Sequence, residues 1–494
     1  MHKVTIGNRQ IEAEDGQLLS ELFIRCGIAA EHPCGGMGVC KKCRVTVNGA
    51  EELSCRYRIH SDITVALPEH GEILSETGVE WFDARSLTET ETDAEKAAGT
   101  APLCLVLDIG TTTLALAAVD LAEKKVVKVL TSTNPQRIFG ADVISRIEYC
   151  RKNLVEPLQE ALVSEINRLV RQLSETIRED FGCAGGMLPI KELYVAGNAT
   201  MLHTLFGEDC SSLGVAPYTP VFLEERETTA VELGVFGVER IISLPSVSTF
   251  VGADIVAGLN HVGLPQKDTY DLFVDLGTNA EVVLFSGDVA LCTAAAAGPC
   301  FEGANISCGM SATPGAVAAF ALDADGKPVI ETIGGAEPKG ICGTGLVDVI
   351  AALCEAGEID ETGYMECEEY LVADGVVLTQ GDIRQYQLAK SAVCSAIQAL
   401  MKVQGISYEQ IGKLYISGGF SAKINTENAV KTGLLPKELL LKCVAIGNSS
   451  LLGTIKFALE HNDLSVYLKN AKYVDLAADK YFAELFMENM EFES

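Results

Sequence analysis

Two stretches, Leu103-Cys-Leu-Val-Leu-Asp108-Ile-Gly110-Thr111-Thr112-Thr113-Leu-Ala-Leu and Asp271-Leu-Phe-Val-Asp275-Leu-Gly277-Thr278-Asn279-Ala-Glu281-Val-Val-Leu, are copies of one design. In each, an apolar run of strand character breaks at Asp-x-Gly-Thr and resumes as a second apolar strand. Glycine permits the tight turn, the amides and hydroxyls that follow suit phosphate oxygens, and the aspartate suits a magnesium ion or its waters. One such hairpin is weak evidence; two imply a duplicated fold.

Three more glycine turns lie around them. Gly418-Gly419 follows the strand-like LYIS, where the lack of side chains lets a flat adenosine lie against backbone, and Gly197-Asn198 and Gly343-x-Gly345 each open an apolar helix. No G-x-x-x-x-G-K-[ST] and no G-x-G-x-x-G stands in the chain. In this order the motifs resemble those of the actin, heat-shock-chaperone and sugar-kinase ATPases over roughly residues 102–455. The resemblance implies an α/β fold of duplicated ribonuclease-H-like lobes, each a five-stranded sheet with helices, closing over ATP and Mg2+. It assigns Asp108, Gly110, Thr111, Thr112, Asp275, Gly277, Thr278 and Asn279 to phosphate and magnesium, and Gly418 and Gly419 to adenosine.

The amino-terminal residues read differently. Val4 and Ile6 alternate as a strand, Gly7-Asn8 turns, a second strand follows around Ile11, and a helix begins near Gln17 with Leu18, Leu19, Leu22 and Phe23 inward. Then come Cys34, Cys40, Cys43 and Cys55, spaced C-x5-C-x2-C-x11-C in a loop loosened by Gly35, Gly36 and Gly38. Plant-type 2Fe-2S ferredoxins use C-x4-C-x2-C and a distant fourth Cys, one residue shorter in the first gap. Four thiolates also suit zinc, although zinc ribbons pair two C-x2-C knuckles and one is present here. The expectation is a small α+β, β-grasp ferredoxin domain over residues 1–78 with these four Cys as cluster ligands, Cys26 being a core residue. Residues 79–101 follow as an acidic linker, six acidic against two basic residues between Glu80 and Lys96, read either as a solvated tether or as a segment that Trp81 and Phe82 pin in part to a domain surface. The ATPase occupies residues 102–494.

Composition bounds the rest. A chain of 494 residues that is 48% apolar and 21% charged has the makings of two or three packed domains. Its formal charge of -30 would repel phosphate backbones and acidic lipid surfaces, so nucleic acid and membrane are not expected partners. No run reaches the roughly 18 apolar residues of a membrane span, and MHKVTIGNRQ has no leader pattern, so the expected location is cytoplasmic. The odd count of 17 Cys argues for thiols or metal ligands rather than a disulfide framework. Cys292, Cys300 and Cys308 lack a tight knot and read as structural, His203 as a satisfied helix histidine, and Leu158, Leu162, Ile166, Leu169 and Leu173 as one face of a packing helix.

A thiolate cluster module ahead of this ATPase, with NPQRIFGADVISRIEY, GNATMLHTLFG, STFVGADIVAGL, DLGTNAE and GPCFEGANISCGM, is similar over nearly the whole chain to the reductive activators of corrinoid-dependent methyltransferases. The resemblance implies that one electron from a 2Fe-2S cluster, made available by ATP hydrolysis, returns an inactive Co(II) corrinoid protein to Co(I). It also implies an upstream low-potential electron donor and allows a homodimer. The alternatives are an ATP-driven donor to another low-potential metalloenzyme, a nucleotide-dependent redox sensor without catalysis, and a small-molecule kinase. Asp254 and Glu281, close in sequence to the phosphate segments, are the candidates to orient the attacking water, because a carboxylate is the usual base; helix capping or a surface pair is the bland reading of each. Longer members of the family carry an additional middle domain between cluster and ATPase, where only residues 79–101 stand here.

Overall fold

The computed structural model describes residues 1–7, 9–26, 28, 43–67, 102–181, 190–266, 269–419, 421–476 and 479–492. The linker expectation, with Trp81 and Phe82, lies outside the described residues, as do Cys34 and Cys40.

Strands β1 (His2–Ile6) and β2 (Arg9–Ala13), helix α1 (Leu19–Arg25), and strands β3 (Arg44–Val47), β4 (Ala50–Leu53) and β5 (Ile63–Ala66) form a small sheet ordered β2-β1-β5-β3-β4. Asn48 and Gly49, both at positive φ, make the two-residue turn that joins β3 to β4. Val4, Leu19, Leu22, Phe23, Val45, Val47 and Ile63 pack as its core, and Cys26 lies half-buried against it. The helix starts two residues later than its pattern indicates: Leu18 is half-buried and bridges Arg58 instead of facing inward.

The first lobe takes its strands in pairs from its hairpin. β6 (Leu103–Ile109) and β7 (Thr113–Asp120) run antiparallel, β8 (Lys125–Thr133) follows, and helices α2 (Val143–Lys152) and α3 (Glu156–Phe181) lead to β9 (Ile190–Gly197), parallel to β6. Helix α4 (Ala199–Leu205), strands β10 (Arg226–Thr229) and β11 (Val238–Ser243) and helix α5 (Ala253–Val262) complete it, in the order β10-β11-β9-β6-β7-β8. Along α3 the five spaced residues Leu158 to Leu173 are all buried.

The second lobe repeats the plan. β12 (Tyr270–Leu276), β13 (Ala280–Phe285) and β14 (Ala290–Ala295) form its hairpin and third strand. An insert follows, with β15 (Ala316–Leu322), β16 (Pro328–Thr332), β17 (Gly340–Ile341), helix α6 (Gly343–Glu355) and the ribbon β18 (Glu369–Ala373) and β19 (Val376–Thr379). Then come α7 (Gln380–Gln404), β20 (Ile411–Ser417), α8 (Thr426–Lys431), β21 (Cys443–Gly447), α9 (Ser449–Glu460), α10 (Ser465–Leu468), β22 (Ala471–Tyr473) and α11 (Lys480–Glu488). The sheet order is β21-β20-β12-β13-β14-β22.

Each lobe sheet therefore has six strands where five are expected. The extra member is an edge strand, β10 (RETT) or β22 (AKY), too short and polar to announce itself as a strand. Helices α5 and α9 lie between the lobes. Their apolar faces join the core of the first lobe to Phe273, Val283 and Phe285 of the second sheet, whose other face packs on α6 and α7. The crossing is close because Gly453 faces the Ala257 carbonyl and Gly258 faces Phe273. No helix among the described residues is long and apolar enough to cross a membrane.

Candidate functional site

The two Asp-x-Gly-Thr turns face one cleft. In the first, Gly110 N–H donates to the Thr113 carbonyl at 3.0 Å; in the second, Gly277 N–H donates to the Asn279 carbonyl at 3.0 Å. The first loop is braced from behind. Asn134 donates from its side chain to the Gly110 carbonyl (2.8 Å) and from its backbone to that of Thr112 (2.8 Å), and Arg146 reaches the Thr111 carbonyl (2.6 Å). Arg146 also donates to the Gly140 carbonyl and to Gln136, and it is fully buried, which pulls its guanidinium down to about 9. Asn198 caps α4 with its carbonyl oxygen and spends its amide on the Thr111 hydroxyl (3.1 Å).

Asp108 is held from across the lobes and Asp275 from within its own sheet. Asp108, at the end of β6, accepts from Asn448 (2.7 Å) and Ser450 (2.7 Å) at the start of α9. Asp275, at the end of β12, accepts from Ser417 (2.6 Å), which also contacts Ser449 (2.7 Å). Asp254 lies in the first turn of α5, accepting its neighbour Ile255 N–H, and Glu281 stands opposite Asp275 across the β12–β13 ladder. The helix-capping reading of Asp254 fails because Gly252 is the cap residue. Desolvation, then repulsion by Asp275 and Asp108, pushes the Asp254 carboxyl up to about 7; desolvation raises Asp275 to about 6. Glu281 is raised well above the ordinary carboxylate range, by desolvation and then by Asp254 and Asp275. Like charges placed opposite one another cost stability, so this cluster signals a site rather than a scaffold.

The glycines divide by what they face. A Cβ on Gly110 would lie 2.6 Å from the Thr113 carbonyl oxygen, and Gly418, at φ +115°, would put one 2.3 Å from that of Leu276; both are demanded by the fold. A Cβ on Gly419 would meet nothing within 4 Å, and one on Gly277 only ordinary contacts. The protein itself does not require glycine at these two positions. Gly343 and Gly345 instead pack against the Phe301 and Val317 carbonyls, so that motif builds the lobe.

Glu302 is the member that sequence reasoning missed. It ends a short turn, Pro299–Glu302, and one of its oxygens, Oε2, accepts from Thr112 (2.8 Å) of the first loop and Thr278 (3.1 Å) of the second. Its segment attracted notice for its cysteines. Those are structural: Cys292 and Cys300 are buried in different cores, and Cys308 accepts the Val377 N–H. His203 has both ring nitrogens occupied, by the Ala199 carbonyl (2.6 Å) and the Val221 N–H (3.0 Å).

In the amino-terminal domain, Cys43 and Cys55 are buried with their Sγ atoms 3.1 Å apart. That is too long for the roughly 2.05 Å of a disulfide; the contact is one thiol donating to another, Cys43 to Cys55. Among the described residues no group of three or more metal-ligating side chains is found, since Cys34 and Cys40 lie outside them.

Two family models match in tandem: one described as the RACo middle region over residues 103–267, and one described as the C-terminal domain of RACo, the ASKHA domain, over 269–494. The chain is 28% identical over 426 residues to the corrinoid activation enzyme RamQ of Eubacterium limosum, covering 78% of this chain and 70% of that one. It is 26% identical over 406 residues to a Co(II) methylated amine-specific corrinoid protein reductase of Methanosarcina barkeri, covering 75% and 72%. A solved structure titled reductive activator for corrinoid, iron-sulfur protein superposes with a TM-score of 0.72 at 26% identity, covering all of this chain and 98% of that one. The middle region thus falls on the first lobe, which corrects the expectation that a middle domain is missing here.

Proposed function

The chain belongs to the RACo family, and from that premise we propose that it is an ATP-dependent reductive activator of a corrinoid protein, passing one electron to a cobalt centre that has lapsed to Co(II) and returning it to Co(I). The observation that carries the reading is the union, on one chain, of a buried thiol pair and a cleft faced by two phosphate hairpins. Cys34, Cys40, Cys43 and Cys55 would hold a 2Fe-2S cluster, which would supply the single electron. The sheet order β2-β1-β5-β3-β4 and the burial of Cys43 and Cys55 side by side support that reading.

The cleft binds ATP. Thr111, Thr112, Thr278 and Asn279 hold phosphate oxygens, Asp108 and Asp275 face a magnesium ion or its waters, and the open backbone at Gly419 receives the adenosine side. Magnesium would neutralise the phosphates beside these carboxylates. Asp254 orients and deprotonates the attacking water, and Glu281, whose carboxyl desolvation and its acidic neighbours push well above the usual range, stands opposite Asp275 across the hairpin. Plant-type clusters lie near about -400 mV, and each ~59 mV of deficit costs a factor of ten for a one-electron step. Lobe closure over nucleotide overcomes such a deficit by changing how the partner is gripped; a shift from 1:99 to 99:1 needs about 5.5 kcal/mol of differential binding.

Anaerobic ATP turnover with and without Co(II) corrinoid protein tests the assignment. Stimulation by the Co(II) form and not by the methylated form is expected. Turnover indifferent to the corrinoid protein would contradict it.

A further inference from the structure

Glu302 carries more than a missed contact. A threonine hydroxyl has one proton to give, and Thr112 and Thr278 both give theirs to the same oxygen of Glu302, across the cleft. The other carboxylate oxygen lies over Gly277, 3.7 Å from where a Cβ would stand. Its turn is firmly seated: Cys300 and Phe301 are buried, Gly303 sits at φ +77° with the Met310 backbone against it, and Phe301 packs edge-on to Tyr386. An anion is therefore presented, from an anchored turn, to the two hydroxyls that the phosphate loops hold out.

We propose that the Glu302 carboxylate is an anionic plug that fills the place of the terminal phosphate of a nucleoside triphosphate and must swing away before the triphosphate seats. The inference rests on the reading of the cleft as a nucleotide site. Two anions cannot share two hydroxyl protons, so plug and terminal phosphate exclude each other, whereas a diphosphate leaves the plug in place. The plug also ties the two hairpins together through one residue, so expelling it frees the lobes to move relative to each other. Selectivity between triphosphate and diphosphate then comes from this competition, and it is paid for by weaker triphosphate binding.

Isothermal titration of the full chain with the magnesium complexes of ADP and of the non-hydrolysable triphosphate AMPPNP tests it in wild type, Glu302→Ala and Glu302→Gln. The Ala variant should bind AMPPNP about tenfold more tightly, the worth of two hydrogen bonds to a charged acceptor set against those the phosphate makes, with ADP affinity unchanged. The Gln variant, which still accepts from the threonines but carries no charge, should fall between. AMPPNP bound no more tightly, or both ligands weakened together, would overturn the plug and make Glu302 a ligand of the bound nucleotide. Should the Ala variant fail to fold, the Gln variant decides by the same comparison. If wild type and variants alike bind neither ligand, the nucleotide reading itself fails, and the plug with it.

Discussion

At Asp254, desolvation and two neighbouring carboxylates act in the same direction, and the consequence is a group that titrates near neutrality. A base works deprotonated, so kcat/KM for ATP hydrolysis should fall about tenfold per pH unit below about 7 and level off above it. A stopped assay from pH 5.5 to 8.5 checks this. Asp254→Asn should lower turnover by about a hundredfold or more and abolish the acidic limb, whereas Glu281→Gln, which replaces a carboxyl that desolvation already disfavours as an anion, should retain most activity; the reverse order would exchange their roles. Arg146 is a positioning residue of a different kind. Its removal as Arg146→Met strands the carbonyls of Gly140 and Thr111 and should cost about 2–4 kcal/mol in chemical denaturation. Asp254 and Glu281 were legible because they stand near the glycine motifs. Glu302, Arg146, Asn448, Ser417 and Ser450 were not, because what defines each is a partner 24 to 342 residues away, as in Thr278 with Glu302 or Ser450 with Asp108.

Among the elements, the hairpins could be read directly because apolar runs of strand length flank an Asp-x-Gly-Thr turn. Long α3 declared itself by period. The edge strands β10 and β22 were silent because pairing, not propensity, makes them strands. The α5–α9 crossing was silent too, since a glycine inside an apolar helix looks like a weak helix former until a second helix is laid on it. A methyl group on Gly453 would stand 1.7 Å from the Ala257 carbonyl oxygen. Gly453→Ala should force the helices apart and destabilise the protein by about 3 kcal/mol or more, with loss of nucleotide affinity because α9 also presents Asn448 and Ser450 to Asp108. A melting temperature and affinity equal to wild type would show that the crossing has slack.

At the scale of the whole molecule, two parts with separate cores are joined: a small sheet, and a pair of lobes sharing a buried helix pair. Cys55→Ser should therefore lose iron while the nucleotide affinity of the full chain stays within about twofold, because sites this distinct in packing behave additively. Iron and sulfide assays beside a titration of ADP read both quantities, and loss of both would mean that the two parts do not fold independently. The most direct measurement is the absorption of Co(I) when anaerobically reduced protein meets Co(II) corrinoid protein, recorded with ATP, with AMPPNP and without nucleotide. The account predicts Co(I) in proportion to reduced cluster with ATP and almost none without nucleotide. Equal Co(I) in its absence would contradict the coupling of electron transfer to the cleft.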